Sequence, residues 1–116
     1  MRKSTRLVEY SQTDSLGRGT IFRCKGEYPY EDVVDFMVCE TKGEYVCSLM
    51  VVSGYKSGSV FQTLPEESLP EGYIFGIKVD WLKANWSKWI YPSCPIEDVW
   101  MIKKNKPKLP TNEIVV

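Results

Sequence analysis

Carboxylates, cysteines, tyrosines and tryptophans are the side chains of this sequence that could carry chemistry or recognition, because histidine is missing altogether. That absence rules out Ser-His-Asp and Cys-His nucleophile systems within the chain. It equally rules out His-ligated zinc and haem. General acid–base work would need a carboxylate, Lys, Tyr or Cys whose pKa is strongly shifted by its surroundings. The four cysteines, Cys24, Cys39, Cys47 and Cys94, form no CxxC pair, so a zinc ribbon or a thioredoxin-type site is not expected. They read as buried, reduced thiols. No carboxylate spacing matches a calcium loop, so the expectation is no metal, no cofactor and no catalytic residue.

The clusters that remain favour contact over turnover. Glu27-Tyr28-Pro29-Tyr30-Glu31-Asp32, with Asp35 just beyond, sets two rigid tyrosines among carboxylates. Such a group suits docking onto a basic protein surface. Ser53-Gly54-Tyr55-Lys56-Ser57-Gly58 is Gly-rich but lacks the Walker pattern and a following helix, so it reads as a tight turn. Among the tryptophans, Trp86 and Trp89 share an apolar helical stripe with Leu82, while Trp81 sits beside it. An exposed Trp81 and the lysines around Lys104 would suit single-stranded nucleic acid or a peptide.

Charge is distributed in blocks. Fifteen Lys and Arg balance fifteen Asp and Glu over 116 residues. Residues 1–25 carry six basic and two acidic groups, residues 26–71 two basic and nine acidic, and residues 72–116 seven basic and four acidic. An acidic middle therefore lies between basic ends.

The elements that must position these groups follow from pattern. Residues 1–18 read as an irregular or partly helical lead-in. Thr20–Cys24 is β-prone, and Gly26–Glu31 is a loop. Val33–Thr41 and Glu44–Gly54 read as a hairpin around Lys42-Gly43. A two-residue loop there pairs Val38 with Cys47, Phe36 with Leu49 and Val34 with Val51, which makes one face wholly apolar and points Cys39 and Cys47 to opposite faces. Ser59–Leu64 is a third strand, and Tyr73–Val79 a short edge strand. Asp80 is the expected N-cap of a helix ending at Pro92, and Glu97–Lys103 a last strand. The class is α+β: a small strand-dominated antiparallel sheet or partly closed barrel with one packed helix over about residues 80–90. Residues 1–116 form one domain, with 104–116 a mobile tail. No apolar h-region follows Met1, and the apolar runs are too short to span a bilayer, so a cytoplasmic chain without membrane contact is expected.

Three segments in order, Phe22–Met37, Val52–Gly58 and Asn85–Pro92, resemble a family of bacterial immunity proteins of polymorphic toxin systems, Immunity protein 45. The resemblance covers about residues 20–102. It implies a non-enzymatic protein that binds the C-terminal toxin domain of a cognate effector, often a nuclease, with no direct contact to nucleic acid. The family supplies no site residues to carry over. The acidic cluster supplies the candidate toxin-binding residues: Glu27, Tyr28, Tyr30, Glu31, Asp32 and Asp35.

Overall fold

The β-rich run in the middle of the chain makes a meander. In the computed structural model, which describes residues 4–11, 15–41, 47–72 and 75–103, β3 (Ile21–Lys25), β4 (Val33–Glu40), β5 (Cys47–Val51) and β6 (Val60–Thr63) follow one another as antiparallel neighbours. The chain then crosses one face of this sheet. It returns as β8 (Trp100–Ile102) on the free side of β3, and β1 (Thr5–Arg6) pairs beyond it. The order is β1-β8-β3-β4-β5-β6, an open antiparallel sheet and no closed barrel. The lead-in is thus not merely irregular. It supplies the edge strand β1 and also β2 (Ser15–Leu16), which pairs with β7 (Ile77–Lys78) in a separate two-stranded sheet. The expected edge strand over 73–79 shrinks to β7, and residues 73–74 lie outside the described residues.

Strand alternation decides the core. Phe22 and Cys24, then Val34, Phe36 and Val38, then Cys47, Leu49 and Val51 all point to one face and are buried there. The hairpin register differs from expectation by two residues: Phe36 pairs with Val51 and Val38 with Leu49. A shift of two preserves which face each side chain occupies, so the apolar face stands although the pairing moved. It also makes the β4–β5 connection longer than two residues. The expected turn at Lys42-Gly43 lies outside the described residues.

One short helix covers this face. α1 (Val79–Asn85) begins directly from β7, with extended Lys78 at the cap position. Asp80 therefore sits in the first turn and caps nothing, though its charge still opposes the positive helix end. From Trp86 to Ile90 the backbone widens into a π turn, closed by Tyr91 N–H on the Trp86 carbonyl at 3.2 Å. The wider turn advances the buried stripe by one residue. Leu82, Trp86 and Ile90 are buried, and Trp89 is only half-buried beside Trp81, with ring centroids 6.2 Å apart. Trp86 meets Phe22 edge-on at 5.7 Å, and its indole N–H donates to the Cys94 carbonyl at 3.0 Å.

Two expectations follow. Trp86 joins helix to sheet and is fully buried, so Trp86→Ala should destabilise the fold by about 3–5 kcal/mol in urea unfolding. The free thiols differ in access: Cys24, Cys47 and Cys94 are buried, and Cys39 is partly open. Burial raises Cys39 and pushes Cys47 up to about 12. Alkylation of the native protein should modify Cys39 alone, and the other three only in denaturant.

A two-loop tip and the acidic cluster

In a meander, alternate connections emerge at the same end of the sheet. The β3–β4 loop (residues 26–32) and the β5–β6 loop (residues 52–59) therefore lie side by side. Gly26 N–H closes the first loop on the Asp32 carbonyl at 2.7 Å, and Tyr30 N–H donates to the Glu27 carbonyl at 2.7 Å. Gly26 tolerates no side chain, because a Cβ would overlap the Glu31 carbonyl oxygen. The Tyr91 hydroxyl accepts from Glu27 N–H at 3.0 Å, which fastens the loop to the chain beyond the helix.

The two loops are joined by one carboxylate. Glu31 Oε2 accepts the Tyr55 N–H at 3.0 Å. Gly54 makes that approach possible: its φ is +68°, a left-handed conformation, and a Cβ there would overlap the Glu31 carboxylate. A second tie runs through the strand beneath. Asp35 N–H donates to Ser53 Oγ at 2.9 Å, and the Asp35 carbonyl accepts from Val52 N–H at 2.9 Å. The result is a two-loop tip with Tyr28 96% and Tyr55 86% exposed.

The six acidic-cluster residues thus divide three ways. Glu27, Tyr28, Glu31 and Asp32 stand exposed on the tip. Tyr30 turns inward and meets Phe36, Phe61 and Tyr91, each at 6.1 Å between ring centroids. Asp35 leaves the tip for the outer face of the sheet, where it is nearly covered and holds Arg23 in a two-pronged pair, both contacts at 2.8 Å. Its charge is spent within the chain. Glu40 is likewise paired with Arg18.

Tyr55, Gly54 and Arg23 belong to this arrangement; the sequence marks Gly54 and Tyr55 as part of a tight turn, and residue types alone do not join any of the three to the acidic cluster. Their signals are topological: the two loops share one end of a meander, and the β3–β4 register sets Arg23 directly opposite Asp35. Trp81 is half-buried, packed against the core cluster and beside Trp89. Lys104 and the lysines after it lie outside the described residues. Among the described residues, no helix is long and apolar enough to cross a membrane, and no group of acidic and cysteine side chains is placed to hold a metal ion.

The Glu31 contact has a defined pH signature. The Tyr55 N–H, and secondarily the backbone of Glu31 itself, hold the carboxyl below its ordinary value of 4.5. A depressed carboxylate pKa means the contact is fully present above that ordinary value and is lost as pH falls through the lower folded value. The Tyr55 amide resonance should therefore titrate with a midpoint below 4.5, and Glu31→Gln should abolish that titration.

Comparison with known proteins places the chain. No curated protein and no solved structure matches it. The profile of Immunity protein 45 matches residues 7–101, from the first buried leucine to the middle of β8. A match over that span takes in the whole meander, the π turn and both loops of the tip, and the chain belongs to the Immunity protein 45 family.

Proposed function

We propose that this chain neutralises a cognate toxin by laying its two-loop tip over the toxin's active site or substrate surface. Membership of an immunity protein family supports toxin neutralisation in general. The observation that carries the finer reading is the Glu31 carboxylate on the Tyr55 amide, which unites two loops into one surface. A tip fixed before binding loses little conformational entropy when it docks. Tyr28 and Tyr55 are the contact groups, since a tyrosine brings large rigid area at two rotatable bonds. Glu27, Glu31 and Asp32 give the tip an acidic rim that suits a basic groove such as a nuclease presents. Tyr30 and Asp35 serve from behind: Tyr30 seats the loop on the aromatic cluster, and the Asp35 backbone anchors the second loop. Inhibition by occlusion asks for no proton transfer, and a chain without histidine is suited to it.

The test is co-expression with the C-terminal domain of the cognate toxin. The chain should restore growth and co-purify with that domain. Tyrosine anchors that become buried on docking are worth about 1–2 kcal/mol each or more, so Tyr28→Ala with Tyr55→Ala should weaken the complex by roughly a hundredfold or more. The association rate should fall steeply with added salt. Failure to rescue growth, or full affinity in the double variant, would refute the proposal. An association rate indifferent to salt would remove the role of the acidic rim.

A further inference from the structure

The outer face of the main sheet carries the second concentration of exposed apolar surface. Ile21, Met37, Met50 and Ile102 are half-exposed there and Val60 is 51% exposed. The registers set them side by side: Ile102 opposite Ile21, Ile21 opposite Met37, Met37 opposite Met50, and Met50 opposite Val60. One continuous apolar row thus crosses from β8 to β6. None of these side chains belongs to the buried core or packs against it. The next row along reads Arg6, Trp100, Arg23 and Asp35, with Arg6 5.0 Å over the Trp100 ring. Beside these rows lies a hollow of about 520 Å³, lined by Ile21, Arg23, Asp35, Trp100 and Ile102 among others.

We infer that this face binds a second copy of the same chain, the two sheets packing face to face about a two-fold axis. The strand order supplies the symmetry. β3 and β4 are the central pair of six, with β8 and β5 flanking them and β1 and β6 outermost. A two-fold axis along the strands, midway between β3 and β4, lays β3 of one copy on β4 of the other. Arg23 then meets Asp35 of the second copy, and Asp35 meets its Arg23. Ile21 meets Met37 in the same way, and Ile102 meets Met50. Apolar row falls on apolar row, and next to the axis Arg23 and Asp35 each fall on the opposite charge. That is the self-complementarity an isologous interface requires.

Charge and area both fit this occupant. Arg23 spends its Nε and one Nη2 contact on Asp35 within the chain, and the rest of its five N–H groups remain for a second carboxylate. The two pairs would close into an alternating ring of four charges. The chain as a whole is neutral, so no net repulsion opposes self-association. Six strands at about 4.8 Å spacing span about 24 Å, and the seven residues Val33–Cys39 about 20 Å along the strand. The face is therefore roughly 500 Å² in projection, or about 1,000 Å² for two copies, where specific interfaces begin. Aligned sheets cross at about −30°. Contacts next to the axis, those of Arg23, Asp35, Ile21 and Met37, are the least displaced by that rotation.

Sedimentation velocity on the full chain, from micromolar to submillimolar concentration, tests this without any toxin. The mass should rise to twice the 13.4 kDa of one chain. Met37→Lys should hold it at the single-chain mass with an unchanged thermal midpoint. Arg23→Asp and Asp35→Arg should each be monomeric alone, and mixing them should restore the doubled mass. A wild-type chain that stays at the single-chain mass throughout overturns the inference, and so does a doubled mass that Met37→Lys leaves intact. Should Met37→Lys unfold, the mixing experiment decides: no doubled species on mixing overturns it. None of these outcomes bears on toxin neutralisation, which rests on the tip.

Discussion

The β3–β4 ladder is the constraint on which the other features hang. Its register sets Phe22 against Phe36 on one face and Arg23 against Asp35 on the other. Phe22 receives Trp86 and so the helix. Phe36 receives Phe61 at 4.4 Å, along with Tyr30 and Tyr91, and so anchors β6 and the loop at the tip. A slip of one residue would turn one strand over against the other, putting either Arg23 or Asp35 into the core and one phenylalanine into water. Burying one charge without its partner and exposing one ring are both unfavourable, so the register is held from both faces at once.

The same ladder governs the electrostatics. It folds the basic beginning of the chain onto its acidic middle, and among the described residues the arginine–carboxylate pairs Arg23 with Asp35 and Arg18 with Glu40 join the two blocks. Sequence blocks of opposite charge therefore do not become opposite faces. The carboxylates left over on β3, β4 and their loop are Glu27, Glu31 and Asp32, gathered in one short connection. Glu31 is then drawn to a backbone N–H of the neighbouring loop. A carboxylate that accepts a backbone hydrogen bond can keep its charge at neutral pH while holding two loops together, so cohesion and acidity come from one group.

Much of this was legible in the sequence, and what was not has identifiable causes. The apolar face of β4 and β5 is readable because side-chain alternation has period two and survives a shift of register by two. The pairing itself is not, because a Lys-Gly dipeptide signals a turn without fixing its length. Asp80 looks like a cap because Asp commonly is one, but β7 runs straight into α1 and leaves no separate cap position. Trp89 fits a 3.6-residue stripe, and only the π turn moves Ile90 into its place. The tip lay hidden for a different reason. Tyr28 and Tyr55 are far apart in sequence, and only sheet order makes them neighbours. Composition located the acidic cluster but not Asp35's partner, since a cross-strand pair is visible only once both strands and their register are known.

Neutrality, which looks uninformative in the composition, takes on a specific meaning here. A strongly acidic inhibitor would attract a basic toxin from afar but would also attract every other basic surface in a cell. This chain cancels charge pairwise between β3 or its approach and β4, and leaves three exposed carboxylates in the loop of a tip whose geometry is set by hydrogen bonds. Under the proposed reading, carboxylates set beside two exposed tyrosines favour an approach led by the tip. The missing histidine fits the same economy. The proposed occlusion needs groups that hold still, and the Glu31 carboxylate fixed by a backbone N–H, rings seated in a core and an arginine paired across a ladder do so without any histidine.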